Sequence, residues 1–520
     1  MTKSNSFRIS HDIGGRRELW VDDYLLDYKS ESIRFELHNP VRRERTLSTD
    51  KPWEGNLCNF ITVLHDPAVG KHRIYYRGGS HHENLKVHCK PVMCLLESSD
   101  GIKWNRAFGH GVKSEKYRRN NIVIDFQKQN PEGPWFGWHG FSPFIDTNPD
   151  ALPSERYKAV GKNDGGTVTG LFLLVSPDGV TWKLKSETPI FQCKGEGLGG
   201  DATCLDSQNV IFFDNDANQY RLYFRRWFFR DGLSAESNPS FSEEKRWAFY
   251  IANGIRGIMT ATSRDLRKWS KPEWLSYGVA DPFTQLYSNN IQPYYRAPHL
   301  WMGFPGRYIQ HAMSKAVELL PEPELRKLRK GRHGSAVSDA LFMSSRNGVD
   351  FQRFDEAFIR PGLHAEGNWT YGDNFPALGM LETNSDQPGG GRELSFYTID
   401  NYWRNSRIVR NTLRIDGFVS LRAPYRGGEI ITKPFIFKGD ELSLNFSVSA
   451  AGRMKVEILD EHMRLVPGFE MENCIDILGD SLDYRVHWNK SGSKVGSLAG
   501  KTIRLRVLMN DADWFSWRFI

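Results

Sequence analysis

Five short stretches, far apart in the chain, set acids, amides and aromatic rings just ahead of an apolar segment. They are Trp53-Glu54-Gly55-Asn56, Trp138-His139, Asp206-Ser207-Gln208-Asn209, Tyr287-Ser288-Asn289-Asn290 and Trp369-Thr370-Tyr371-Gly372-Asp373-Asn374. A carboxyl group can protonate a leaving oxygen or activate water. Amides grip hydroxyls, and an aromatic ring stacks on the apolar face of a sugar. Cleavage of a glycosidic bond needs that set, with a pair of carboxylates at its centre. Asp206, Asp373 and Glu54 are therefore the expected catalytic carboxylates. Trp53, His139, Gln208, Asn209, Tyr287, Asn290 and Trp369 are the expected substrate-binding groups, joined by Arg346 beside a later repeat strand. Asp146 lies deeper along its strand and reads as structural.

The elements that must bring these stretches together are visible as repeats. Ser-x-Asp-Gly-x-x-Trp, preceded by a short apolar strand, occurs at Ser98–Trp104 and Ser176–Trp182, with variants at Ser263–Trp269 and Ser345–Phe351. Asp-Gly or Asn-Gly supplies the positive φ angles of a tight hairpin turn, and the aromatic residue packs back on the sheet. Ahead of each copy sits a pair of strands, the first apolar and the second rich in Tyr and Arg. The first strands begin near 59, 142, 209, 290 and 374, at spacings of 83, 67, 81 and 84 residues. Five four-stranded units with long loops predict a five-bladed β-propeller. In a propeller the innermost strands line one channel, so residues at their starts converge.

Strand-like segments at Glu18–Leu26 and Ile33–Leu37 are expected to pair with a terminal blade and remove its open edge. The stretch from Pro321 to Gly334 is the one clearly helix-prone insertion. Beyond about residue 424 the chain alternates apolar and polar residues, as in Leu442-Ser-Leu-Asn-Phe-Ser-Val448. That pattern predicts half-buried antiparallel strands and hence a β-sandwich. The expected division is a propeller over 1–424 and a sandwich over 425–520, all-β throughout.

Composition narrows the function classes. Of 520 residues, 25% are charged and 39% apolar, as in an ordinary water-soluble globular protein. No run of 18 apolar residues is present, so no membrane partner is expected. The first residues contain no apolar stretch and do not read as a secretory signal, which points to a cytoplasmic protein. Six irregularly spaced cysteines favour reduced thiols. The net charge of +7 is not concentrated in a basic face with a recognisable motif, so nucleic acid is not an expected partner. The mild positive balance would suit an anionic glycan. No metal is expected at His81, His82, His88 and Cys89, where no paired ligand spacing recurs, and no glycine-rich loop marks a cofactor.

The five-unit pattern, the Ser-x-Asp-Gly-x-x-Trp turns and the trailing sandwich resemble glycoside hydrolases of families 32, 43 and 68 and their propeller relatives. Asp206-Ser-Gln-Asn209 and Ile291-Gln-Pro-Tyr-Tyr-Arg-Ala-Pro298 are similar to stretches in family-32-like bacterial propellers. The resemblance implies a glycoside hydrolase acting on oligosaccharides. It leaves linkage and sugar open, because the invertase-type Asn-Asp-Pro, Arg-Asp-Pro and Glu-Cys are not in matching places, and His65-Asp66-Pro67 falls in a hairpin. A cytoplasmic enzyme would meet short imported oligosaccharides and cut from their ends. Two rivals stand beside this reading. One is a glycoside phosphorylase, for which Arg77, Arg225, Arg226 and Arg296 could hold phosphate; the other is a propeller that only binds glycans or proteins.

Overall fold

The computed structural model describes residues 10–56, 58–79, 91–109, 111–112, 116–125, 140–162, 170–193, 204–229, 249, 252–328 and 332–520. The chain is all-β and carries five successive antiparallel sheets, the blades of a propeller. The first blade runs Thr62–Asp66, Lys71–Gly78, Val92–Ser98 and Ile122–Asp125, with Asn105–Arg106 also on its third strand. The second is Ser142–Ile145, Tyr157–Lys162, Leu171–Ser176 and Lys183–Leu184. The third is Val210–Asp214, Gln219–Phe229, Gly254–Ser263 and Glu273–Trp274. In the fourth the second strand is broken into Ala297–Gly303 and Gly306–Gln310, both paired with Ala336–Ser345. Ile291–Tyr294 and Phe351–Ile359 flank them.

The fifth blade is Leu381–Asn384, Arg392–Asp400 and Arg407–Arg414, closed by Val41–Ser48 from the other end of the chain. That closing strand corrects the sequence expectation. Glu18–Leu19 and Arg34–Leu37 pair with Thr502–Phe519 and Val419–Ala423 instead of with a blade. Val41-Arg-Arg-Glu-Arg-Thr-Leu-Ser48 was invisible as a strand because an outer blade strand is largely exposed and needs no apolar alternation. The innermost run of the fifth blade also differs. Its ladder begins at Leu381, while 374–378 holds only scattered bonds such as Asn374 N–H to the Ile399 carbonyl at 2.7 Å. Left-handed φ angles at Asn374 (63°) and Gly379 (98°) interrupt it.

The repeated turns work as latches. Ser98 Oγ accepts from Gly101 N–H at 2.9 Å, and Asp100 Oδ1 accepts from the N–H groups of Ile102 and Lys103, both at 2.8 Å. Ser176 and Asp178 repeat this at the next blade. The carbonyl of the turn glycine then accepts from a tyrosine on the second strand of the preceding blade. Tyr75 Oη–H donates to Gly179 and Tyr223 Oη–H to Gly348, both at 2.8 Å, and Tyr397 Oη–H donates to Gly101 across the ring closure. The Tyr-rich second strands are thus blade-to-blade fasteners. At Gly348 the left-handed φ of 75° and a Trp301 ring that would lie 1.3 Å from a Cβ leave room for glycine alone.

A second sheet system of ten strands gathers residues from both chain ends around Thr502–Phe519. Its core buries Trp20, Trp488, Trp514 and Trp517 among Phe435, Phe437 and Leu444. The chain divides into two compact units, one of 1–38, 294–298 and 413–520, the other of 39–293 and 299–412. The expected helical insertion is present as Pro323–Leu328 and Arg332–Ser335.

Candidate functional site

In each blade the first strand begins at the end where the second strand finishes and the third begins. One end of the propeller therefore collects the residues ahead of the first strands. Non-glycine residues take left-handed φ angles at these entries: Phe60 (54°), Leu205 (63°), Asn290 (46°) and Asn374 (63°). Such strain costs about 1–3 kcal/mol per residue and clusters where function holds it in place.

The amides at these entries are buried and tie the blades to one another. Gln208 Nε2 donates to Thr62 Oγ1 at 2.7 Å, reaching the first blade. Asn289 Nδ2 donates to the Gln208 carbonyl at 3.1 Å, and Asn290 Nδ2 to the Pro376 carbonyl at 2.7 Å. Asn209 Nδ2 donates to the Leu205 and Ser207 carbonyls at 3.1 and 3.0 Å. Together they form a polar plug of linked strand entries, because backbone carbonyls at strand starts need donors once water is excluded.

Asp206 sits beside this plug with 31% of its side chain exposed, and buried Arg225 Nη2 donates to its Oδ2 at 2.5 Å. The Arg225 guanidinium lies 4.6 Å from the centre of the Tyr287 ring and donates to the Tyr287 carbonyl at 3.2 Å. The hydroxyls of Tyr287 and Tyr371 meet at 2.5 Å. Arg256 packs over Trp227 and Tyr308 at 4.1 and 4.7 Å, and its Nη1 donates to Gln285 Oε1. The His333 ring is 4.5 Å from that of Tyr371 and 5.3 Å from that of Trp403. At this end an accessible carboxylate is thus tied through Arg225 to a cluster of aromatic rings and buried guanidinium groups.

The other two expected carboxylates are fully buried. Glu54 accepts from Tyr76 Oη–H (2.6 Å), Arg106 Nε (2.7 Å), Arg106 Nη2 (2.9 Å) and the backbone N–H groups of Asp50 (2.9 Å) and Lys51 (3.0 Å). Asp373 accepts from Thr370 Oγ1–H (2.6 Å), Thr370 N–H (3.1 Å) and Tyr402 N–H (3.1 Å). Burial first, and the nearby Asp400 charge second, push its carboxyl up to about 8 against its hydrogen bonds. A carboxyl that keeps its proton in the fold and releases it near pH 4 when unfolded favours folding at low pH. That contribution is lost as pH rises from about 4 to 8. The stability of wild type relative to Asp373→Asn, measured by urea unfolding, should therefore fall between pH 5 and pH 8. A constant difference would show that Asp373 is ionised in the fold.

The remaining expected groups are dispersed. Trp53 is buried and its Nε1–H donates to Asn121 Oδ1 at 3.0 Å. Arg346 follows the third strand of the fourth blade, at the end opposite Asp206. Trp369 is half-buried, has φ 62°, and donates its Nε1–H to the Gly362 carbonyl at 2.9 Å. His139, and the cluster of His81, His82, His88 and Cys89, lie outside the described residues. Trp227, Arg256, Tyr308 and His333 were missed. The Arg-Arg-Trp run ending a Tyr-rich strand was a usable signal for Trp227, but His333 comes from the helical insertion and carries no repeat signature.

Among the described residues no cluster of His, Cys, Asp and Glu is placed to hold a metal ion. Cys193 and Cys204 form a disulfide, where reduced thiols were expected. Their spacing in the sequence did not announce the pairing. Disulfides are at home in oxidising compartments, the opposite of what the cysteine count suggested. Among the described residues no helix is long and apolar enough to cross a membrane.

No protein-family model and no curated protein matches the chain. Among solved structures, a glycosyl hydrolase from Bacteroides ovatus is similar over 72% of this chain and 94% of its own, at 15% identity and a TM-score of 0.43. A glycoside hydrolase family 43 arabinoxylan arabinofuranohydrolase from Bacillus subtilis, solved with cellotetraose, covers 92% of this chain and 99% of its own, at 11% identity and 0.38. An N-acetylgalactosamine deacetylase from F. plautii, solved with blood group B trisaccharide, covers 73% and 96%, at 13% identity and 0.39. These likenesses are distant, and the five-bladed architecture stands on the sheet topology itself.

Proposed function

We propose that this chain is a glycoside hydrolase whose centre is Asp206. The observation that carries the reading is an accessible carboxylate held by a buried arginine, which itself packs over the Tyr287 ring at the inner-strand entries. A carboxylate that accepts from Arg225 is built to attack an anomeric carbon or to activate water, two roles open to one member of a glycosidase pair. The Tyr287 and Tyr371 hydroxyls, within hydrogen-bond reach of each other, belong to the same cluster through Arg225 and could pass a proton. Glu54 and Asp373 act here as positioning residues. Glu54 anchors the entry to the first blade, and Asp373 shapes the turn that carries Tyr371. The ligand is a carbohydrate, which aromatic faces and hydroxyl donors suit.

A phosphorylase remains the second reading because buried Arg225, Arg226 and Arg256 gather at the same end. Incubating the protein with a panel of oligosaccharides, with and without inorganic phosphate, separates the two. Free sugar without phosphate is the expected product. Sugar phosphate formed only when phosphate is present would replace hydrolysis by phosphorolysis. Binding without turnover of any member would sink both.

A further inference from the structure

The fourth blade carries a second cleft, on the face of its broken second strand turned away from the Tyr287–Tyr371 cluster. Along Gly306–Gln310 side chains alternate. Tyr308 faces Arg256 and Tyr371, and its hydroxyl donates to Gln310 Oε1 at 3.0 Å. Arg307 and Ile309 face the other way. There they meet their cross-strand partners Asp339 and Val337 and form the floor of a cleft of about 530 Å³. Arg307 holds Asp339 through Nε (2.8 Å) and Nη2 (2.5 Å), so these two charges satisfy each other. Asp355, Glu356, Arg360 and Trp369 are among the residues that complete its lining.

Three features mark this cleft as a ligand site. Its size falls in the range of small-molecule pockets, and its lining mixes apolar side chains such as Ile309 and Val337 with charged ones. The indole of Trp369 is fixed, since its Nε1–H is tied to Gly362 and buried Arg326 donates to its carbonyl. Its left-handed backbone is thereby held against its own strain, which needs such support. Finally, the side chains of Arg360 and His311, at the rim, make no hydrogen bond or ion pair among the described residues. Arg307 pairs with Asp339 and Arg353 with Asp355, so Arg360 and Glu356 leave the lining without a large excess of either charge.

We propose that this cleft is an accessory glycan-binding site, separate from the Asp206 centre, that takes a neutral pyranose unit. The indole of Trp369 covers the apolar face of the ring. Arg360, His311 and Glu356 bond its hydroxyls. The site goes beyond the hydrolytic reading and does not require it, because it makes no contact with Asp206 and moves no proton.

The test is binding, measured by tryptophan fluorescence and calorimetry on the full chain. The probes are cellotetraose, xylotetraose, mannotetraose and galactotetraose. Asp206→Asn should bind at least one of them as wild type does. Trp369→Ala and, independently, Arg360→Ala should weaken that binding tenfold or more while melting as wild type does. The Arg360 variant keeps the proposal open to refutation if the Trp369 variant fails to fold. Wild-type affinity in Arg360→Ala and in folded Trp369→Ala would overturn the proposal. So would loss of all binding in Asp206→Asn, or no binding of any probe by wild type. If no glycan is turned over yet Trp369-dependent binding persists, the hydrolytic reading falls and the accessory site stands.

Discussion

Asp206→Asn is expected to lower turnover of any responsive oligosaccharide by roughly 10²-fold or more, the usual range for groups that move protons or attack at a reacting centre. The shape is kept, so the loss reports charge alone. Arg225 still finds an oxygen on the amide and keeps the Tyr287 carbonyl, so the fold should melt within a few degrees of wild type. Arg225→Lys should lose activity as well, because a point charge cannot both hold Asp206 and lie flat over Tyr287. Steady-state rates and melting temperatures of both variants, measured side by side, check this. A wild-type rate in Asp206→Asn would remove the proposed centre.

Glu54→Gln should act in the opposite sense, on folding. Five hydrogen bonds converge on this buried carboxylate, two of them from Arg106. The amide leaves Arg106 largely buried without its partner charge and turns two donors against donors. Removing one member of a buried pair costs about 3–5 kcal/mol. Part of that loss is buffered, since Arg106 also donates to Asp50 Oδ1 at 2.7 Å and the Ser48 carbonyl at 2.9 Å. Urea unfolding should show the loss as a lower midpoint at an unchanged slope. An unchanged midpoint with a 10²-fold loss of turnover would instead return Glu54 to the chemistry.

Several parts of this arrangement were legible before any coordinates. The Ser-x-Asp-Gly-x-x-Trp turns are local devices, made by a hydroxyl, a carboxylate and a glycine within seven residues. Their four copies, with the five strand pairs spaced along the chain, give the blade count, and the apolar segments that follow the acid- and amide-rich stretches mark four of the inner strands. The fifth was displaced because left-handed residues at Asn374 and Gly379 postpone its ladder, and neither residue type announces that by itself. The closing strand Val41–Ser48 escaped notice because an exposed edge imposes no pattern on its residues.

Repeats and turn chemistry alone predict that the inner-strand entries gather at one end. Strand periodicity and turn chemistry act over a few residues, and a ring of five equal units must bring its inner-strand entries to one end. The surroundings that distinguish the acids at those entries are visible only in the fold. Asp206, Glu54 and Asp373 look alike as letters, all acids ahead of an apolar strand. Burial and partners separate them: a guanidinium and an open side for Asp206, five donors for Glu54, a dry pocket beside Asp400 for Asp373. Those environments draw on residues as distant as Arg106 and Tyr402, beside local partners such as Thr370. The energy of a charge depends on all the atoms around it, so no local pattern could have told the three apart.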